Sequence, residues 1–194
     1  MSETVRTFIA IEMPAEVRAF LDRCQERLKR AGGGIRWVRT DLVHLTLVFL
    51  GEVRLDRLAA LEQAVRGAAA GFGPMTLAPS GAGRFPPKGR PRVVWVGIGD
   101  PAGSLIRLQK AVAEATADFA EKAEDRAYQA HLTLGRAQGG GDLHALSDAV
   151  DAMAAERGPE FAAAEVVIVK SVLGPGGPTY TPLARVPLTG GDIG

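Results

Sequence analysis

One cysteine, Cys24, stands in a chain of 194 residues, so no internal disulfide can form and no second thiol exists with which to build a zinc knuckle. No apolar run approaches the ~18 residues a membrane helix needs. The first residues, Met1-Ser2-Glu3-Thr4-Val5-Arg6, lack the basic-then-apolar order of a signal peptide, and a cytoplasmic protein without membrane contact is expected. An excess of one charge is missing too. The 23 Lys and Arg against 22 Asp and Glu leave a formal net charge of +1, so any anion site must be local. Gly32-Gly33-Gly34 lacks the Lys-Ser/Thr that cradles a triphosphate, and Gly139-Gly140-Gly141 precedes a helix without one. Neither ATP nor any other cofactor is expected. What is present is 46% hydrophobic and 23% charged, enough to bury one substantial core or two small lobes.

Four stretches have helical periodicity. Pro14 to Arg30 carries Val17, Phe20, Leu21, Cys24 and Leu28 on one face and stops at the glycine run. Leu55 to Ala70 repeats this with Leu58, Leu61, Val65 and Ala68. A third helix is expected with Asp100 as N-cap and Pro101 in its first turn, bearing Leu105, Leu108, Val112, Ala115 and Phe119. A fourth is capped by Asp142, presents Leu143, Leu146, Val150 and Met153, and stops at Gly158-Pro159. Strands are expected at 7–12, 43–50, 75–78, 93–99, 131–136, 164–173 and 180–186.

The chain contains an internal repeat. His44-Leu45-Thr46-Leu47 recurs 87 residues on as His131-Leu132-Thr133-Leu134, and Ile11-Glu12-Met13-Pro14-Ala15 matches Ile98-Gly99-Asp100-Pro101-Ala102 at the same offset. Two junctions in register indicate duplication. Each half reads strand, helix, His-bearing strand, helix, strand. The halves are expected to pack as two pseudo-symmetric lobes of a single domain spanning residues 1–194.

In a strand, residues i and i+2 share a face, so His44 stands beside Thr46 and His131 beside Thr133, while the intervening leucines point into the core. A pseudo-twofold axis between the lobes brings the two polar pairs face to face across a cleft. Two imidazoles on one ligand make an acid-base pair, because histidine titrates near ~6.5 and one ring can carry a proton while the other accepts one. The hydroxyls suit the non-bridging oxygens of a phosphate. A catalytic zinc wants three protein ligands, and no H-x-H, H-E-x-x-H or cysteine cluster supplies the third. A metal-dependent hydrolase stays open as a competing reading. His144, in the first turn of a helix and without a threonine partner, reads as solvated, and Cys24 reads as packing.

The first motif extends to His44-Leu-Thr-Leu-Val-Phe-Leu-Gly51 and the second to His131-Leu-Thr-Leu-Gly-Arg136. Together with Thr7-Phe8-Ile9-Ala10, Trp37 and Pro91-Arg92-Val93-Val94-Trp95-Val96-Gly97, they resemble the 2H phosphoesterase superfamily. Within it, the chain resembles the RNA 2′,3′-cyclic phosphodiesterases, also called 2′-5′ RNA ligases. One departure is Ala130, where the family often has proline before the second histidine. The resemblance implies a bilobal α+β fold, two pseudo-symmetric lobes each with an antiparallel sheet and two helices, and the active-site cleft between them. It also implies hydrolysis of RNA 2′,3′-cyclic phosphate ends to 2′-phosphates, with reversible ATP-independent 2′-5′ ligation as an accompanying activity. By resemblance His131 is the base that activates water and His44 the acid at the departing 3′ oxygen. Thr46, Thr133 and Arg136 hold the phosphate. Phe49 occupies the position equivalent to Arg136 in the first copy and offers an apolar or stacking surface.

The stretch from Arg84 to Arg92 carries Arg84, Lys88, Arg90 and Arg92 with Phe85 and no acid, the densest positive patch in the sequence. It is expected as an irregular loop that contacts an RNA strand and one unstacked base. Arg36, Trp37 and Arg39 could extend that track. The expected partner is an RNA bearing a 2′,3′-cyclic phosphate, tRNA fragments included. A closed bilobal body needs no second copy, so a monomer is expected. The competing reading from another class is an RNA-end binding module with little turnover.

Overall fold

The computed structural model describes residues 3–122, 126–139 and 143–191. Its strands are β1 (Thr4–Glu12), β2 (Ile35–Trp37), β3 (His44–Arg54), β4 (Met75–Phe85), β5 (Val93–Gly99), β6 (His131–Ala137), β7 (Phe161–Ala163), β8 (Glu165–Gly174) and β9 (Gly177–Pro187). Its helices are α1 (Ala15–Lys29), α2 (Leu58–Ala69), α3 (Ser104–Ala115) and α4 (His144–Asp151). The strands form two antiparallel sheets, ordered β3-β1-β8-β9 and β2-β6-β5-β4-β7. None of the described helices is long and apolar enough to cross a membrane.

The fold is bilobal α+β, but the lobes are not the two halves of the repeat. In the first half β1 and β3 lie in one sheet, whereas β4 crosses to the other and pairs with β5. In the second half β5 and β6 share a sheet, and β8 crosses back to pair with β1. The helices cross as well. α1 follows β1 yet packs beside α4, and α3 follows β5 yet packs on α2 and β3. Each lobe therefore keeps an antiparallel sheet and two helices while taking two strands and a helix from the other half, β8, β9 and α3 in the first lobe and β2, β4 and α1 in the second. The apolar residues of both sheets and all four helices join in one continuous core.

Strand alternation works as expected in both motif strands. Leu45, Leu47, Leu132 and Leu134 are 3% exposed or less, a burial that stabilises by roughly 1.5–3 kcal/mol per leucine. The partner residues on the other face are half-buried along the groove between the sheets. Each strand is also bulged at the last leucine of its motif. Ile9 pairs with Val48 and Ala10 with Thr46, skipping Leu47; Val94 pairs with Gly135 and Trp95 with Thr133, skipping Leu134. A bulge leaves a carbonyl without its ladder partner, and a glutamine from the adjoining helix meets it in both cases. Gln109 Nε2 donates to Leu47 O at 3.3 Å. Gln25 Nε2, buried, donates to Leu134 O at 3.0 Å and to Val38 O at 2.6 Å. Gln25→Leu should therefore cost about 1–3 kcal/mol, chiefly through Val38 O, since Leu134 O keeps the Val38 amide at 2.8 Å. Urea unfolding reads that loss directly, and unchanged stability would show that the amide carries no weight.

Several boundaries differ from expectation for identifiable reasons. β4 runs to Phe85 rather than ending at Ala78, because a bulge between Pro79 and Ala82 absorbs the proline and glycine that read as a break. Arg84 and Phe85 thus belong to a strand, and the irregular loop begins at Pro86. α3 starts at Ser104 behind Gly103, which takes the left-handed conformation at φ 68°. Asp100 still serves its first turn from outside, accepting from the Leu105 and Ile106 amides at 2.9 and 3.3 Å. α4 ends at Asp151, well before Gly158. Beyond it the carbonyls of Met153 and Glu156 accept from the amides of Ala82 and Gly81 in the β4 bulge, so that backbone is tied to a strand. The expected cap Asp142 lies outside the described residues. The short strands β2 and β7 carry too few residues to show a period.

Candidate active site

A cleft of about 660 Å³ opens between the sheets, and both H-x-T pairs line it. The first sheet contributes His44, Thr46 and Phe49 from β3, Arg6 and Phe8 from β1, and Ser171, Leu173 and Tyr180 from the β8–β9 hairpin. The second contributes His131, Thr133 and Arg136 from β6, with Arg36 and Trp37 from β2. Arg39 follows on the same wall. Among the described residues no Asp or Glu lines the cleft, although the chain as a whole is almost neutral. Low-dielectric walls carrying one sign of charge concentrate anions. The local anion site that the balanced composition demanded is here.

The two imidazoles are held alike. His44 Nδ1 lies 3.0 Å from Leu42 O and His131 Nδ1 lies 2.7 Å from Gln129 O, each the carbonyl two residues back. A carbonyl only accepts, so Nδ1 carries the hydrogen and Nε2 is the nitrogen available for chemistry. Ring packing repeats the symmetry. His44 stacks on Phe8 with centroids 4.5 Å apart and meets the edge of Tyr180 at 5.1 Å. His131 lies 6.2 Å from Trp95, which occupies the position equivalent to Phe8, and meets Phe85 edge-on at 5.1 Å. Gly83 makes this possible, since a Cβ there would stand 2.3 Å from the Trp95 ring.

The electrostatics break that symmetry. Burial lowers the pKa of both histidines from the ordinary imidazole value, opposed in each by the hydrogen bond to the carbonyl. His44 is further favoured in its charged form by the carboxylate of Glu12 and disfavoured by His131. His131 is disfavoured in its charged form by the Arg136 guanidinium. Burial, the largest cause in each, disfavours a proton on either ring, while the lesser contributions differ in sign, the Glu12 carboxylate favouring one on His44 and the Arg136 guanidinium opposing one on His131. Among the described residues neither the Thr46 nor the Thr133 hydroxyl is engaged by a hydrogen bond, so both are free to donate into the cleft.

The sequence-derived residues divide into two groups. His44, Thr46, Phe49, His131, Thr133 and Arg136 come together around the cleft. Arg84, Phe85, Lys88, Arg90 and Arg92 do not line it. Arg84 ties β4 to α4, donating to Ser147 O at 3.1 Å and pairing with Asp151. Arg90 donates to Gly139 O, and Phe85 serves as the ring beside His131. Lys88 and Arg92 are exposed. His144 is exposed beside Asp148, and Cys24 is buried on α1 with its thiol pushed up to about 11 by burial. No group of three or more His, Cys, Asp or Glu suited to a metal ion occurs among the described residues. Sequence reasoning missed Arg6 and Ser171. The signal for Arg6 was its i, i+2 spacing to Phe8 on a strand whose outer neighbours are apolar.

Two stretches of the chain, residues 11–95 and 96–180, match the family described as LigT like phosphoesterase, one after the other. The chain is 34% identical over 190 residues to the RNA 2′,3′-cyclic phosphodiesterase of Escherichia coli K12, covering 97% of this chain and 99% of that one. It is 31% identical over 177 residues to the protein of the same name from Methanothermobacter thermautotrophicus, covering 91% and 95%. The crystal structure of Escherichia coli LigT complexed with 3′-AMP superposes with a TM-score of 0.75 at 28% identity, covering 96% of this chain and 99% of that one.

Proposed function

The chain belongs to the LigT-like phosphoesterase family, and from that membership we propose that it hydrolyses RNA 2′,3′-cyclic phosphate ends to 2′-phosphates by two-histidine acid-base catalysis. The observation that carries the reading is the pair of Nδ1-anchored imidazoles in a cleft lined by arginines and no acid. A cyclic phosphodiester is an anion, so it enters such a cleft without a metal to screen it. Thr46 and Thr133 donate to its non-bridging oxygens, and Arg136 adds a charge-assisted contact where negative charge grows. His131, kept neutral beside Arg136, takes a proton from water at Nε2 as the oxygen attacks phosphorus. His44, whose imidazolium Glu12 favours, delivers its Nε2 proton to the departing 3′ oxygen. The P–O3′ bond breaks, the ring opens, and the phosphate stays on the 2′ oxygen. With a 5′-hydroxyl in place of water, the same attack on phosphorus and the same cleavage of the P–O3′ bond give a 2′-5′ linkage and a free 3′-hydroxyl, so hydrolysis and ligation share one pair of histidines. It needs no ATP, because the strained ring already stores the energy.

The test is incubation of EDTA-treated protein with a short RNA ending in a 2′,3′-cyclic phosphate. The expected product is a 2′-phosphate, identified by mass and by sensitivity to phosphatase. A 3′-phosphate would reverse the assigned leaving group. Tight binding without product would favour the RNA-end binding module, and activity abolished by the chelator would require a metal.

A further inference from the structure

The cleft is lopsided. On the second sheet it uses β6 and β2, whereas on the first it extends from the histidines across β1 to the β8–β9 hairpin. At that far end lies Arg6. Its guanidinium carbon sits 4.9 Å from the centroid of the Phe49 ring, an arrangement that stabilises a cation and fixes its plane. Its Nε is buried and makes no hydrogen bond. Among the described residues no carboxylate lies within ion-pair distance of it. By contrast Arg39, on the other wall, is paired with Asp41. Half-buried, with Nε shielded and the rest of the guanidinium open to the cleft, it presents an unneutralised charge that an anion can complete.

Position supplies the ligand. Ala10 of β1 pairs with Thr46, and Arg6 lies four residues farther along that strand, about 13 Å at ~3.3 Å per residue. The long side chain turns back onto Phe49, and its charge is felt at the Tyr180 phenol together with that of Arg136. The Arg6 guanidinium, held over Phe49 three residues beyond Thr46 on β3, is thus displaced from the H-x-T pairs toward the next part of a chain. We propose that Arg6, laid on the Phe49 ring, seats a backbone phosphate upstream of the cyclic end, so that the cleft prefers a polynucleotide end to a free cyclic mononucleotide. This rests on the phosphodiesterase reading above. Phe49, half exposed at 50%, and Leu173, 64% exposed, leave an apolar rim beside the seat for a base. Direction follows: the RNA leaves the histidines along the first sheet, past Phe49 and Arg6.

The test compares R6Q with the wild type on two substrates, 2′,3′-cyclic AMP and a trinucleotide ending in a 2′,3′-cyclic phosphate. R6Q should lower kcat/KM for the trinucleotide about tenfold more than for the mononucleotide, through KM. The dependence of the trinucleotide KM on salt should also weaken, by about 0.7 in log–log slope, as expected for one lost phosphate contact to a single strand. R6K, which keeps the charge, should keep that slope, and it guards against a loss that reflects misfolding. Equal losses on both substrates, or no loss on either, would overturn the seat. Wild-type protein that hydrolyses neither substrate would overturn the phosphodiesterase reading instead. The seat is then read by calorimetry with a trinucleotide carrying a 2′-phosphate end, where equal affinity of wild type and R6Q would refute it.

Discussion

His44→Ala and His131→Ala are each expected to lower kcat/KM for a 2′,3′-cyclic end by on the order of 10²–10⁴-fold, the span associated with losing one positioned proton-transfer group. The anchored Nδ1 atoms make the effect specific to Nε2, since neither carbonyl can turn to replace it. The two losses should not multiply, because both rings act in one transition state and removing either already breaks the proton relay. His44 is packed between Phe8 and Tyr180, so its alanine variant also loses contacts that His131, less enclosed, does not. His44→Gln keeps more of that volume and separates the two contributions: activity restored by glutamine would assign His44 to packing. Circular dichroism of each variant checks that the fold survives. A single-histidine variant turning over at close to the wild-type rate would remove that imidazole from the chemistry.

The site was legible because its signal is local. Two H-x-T strands with leucines between them state which side chains face the cleft, and β3 and β6 carry them as alternation requires. The repeat was legible as an offset of 87 residues. Its consequence for packing was not, because nothing in a strand's own residues says which sheet it will join. β4 and β8 are each apolar enough for either lobe, and their exchange depends on the long connections that carry the chain from one sheet to the other. The bulges were hidden for a related reason. Leu47 and Leu134 look like ordinary inward positions, and the shift appears only in the register with β1 and β5 and in the glutamines from distant helices that meet the two carbonyls. The basic stretch was conspicuous in the sequence, yet it lies outside the cleft lining. Arg84 is drawn to Asp151 and Ser147, and Arg90 to Gly139, whereas Arg6, a single arginine in a hydrophobic strand, reaches the cleft.

The exchange also has a functional consequence. Each motif strand is braced by a helix from the same half of the repeat as the other histidine: α1, from the half containing His44, holds the bulge beside Thr133, and α3, from the half containing His131, holds the bulge beside Thr46. The separation of the two imidazoles is thereby fixed by both halves at once. A site that needs two groups at one distance gains from such interlocking, since neither lobe can shift without pulling on the other's catalytic strand.

The pH profile is the second large effect, and its sign follows from the causes acting on each ring. The productive form has one ring protonated and the other neutral, so kcat/KM should trace a bell whose limbs report the coupled pair in the free protein. Burial moves both histidines below their ordinary value near ~6.5. The acid therefore loses its proton below that pH, and kcat/KM should peak on the acidic side and fall about tenfold for each unit of rising pH. By pH 8.5 the loss should exceed about 100-fold, because the limb starts below ~6.5. The profile of kcat should extend to higher pH, because a bound phosphate anion beside the rings favours the imidazolium. Two substitutions then assign the limbs. Removing the charge at Arg136 takes away a contribution that lowers the pKa of His131, so R136Q should move the acid limb toward neutral if His131 is the base. Removing the charge at Glu12 takes away a contribution that raises the pKa of His44, so E12Q should move the alkaline limb toward lower pH if His44 is the acid. Opposite limbs moving would exchange the two roles, and a profile flat from pH 5 to 8 would remove the pairing altogether.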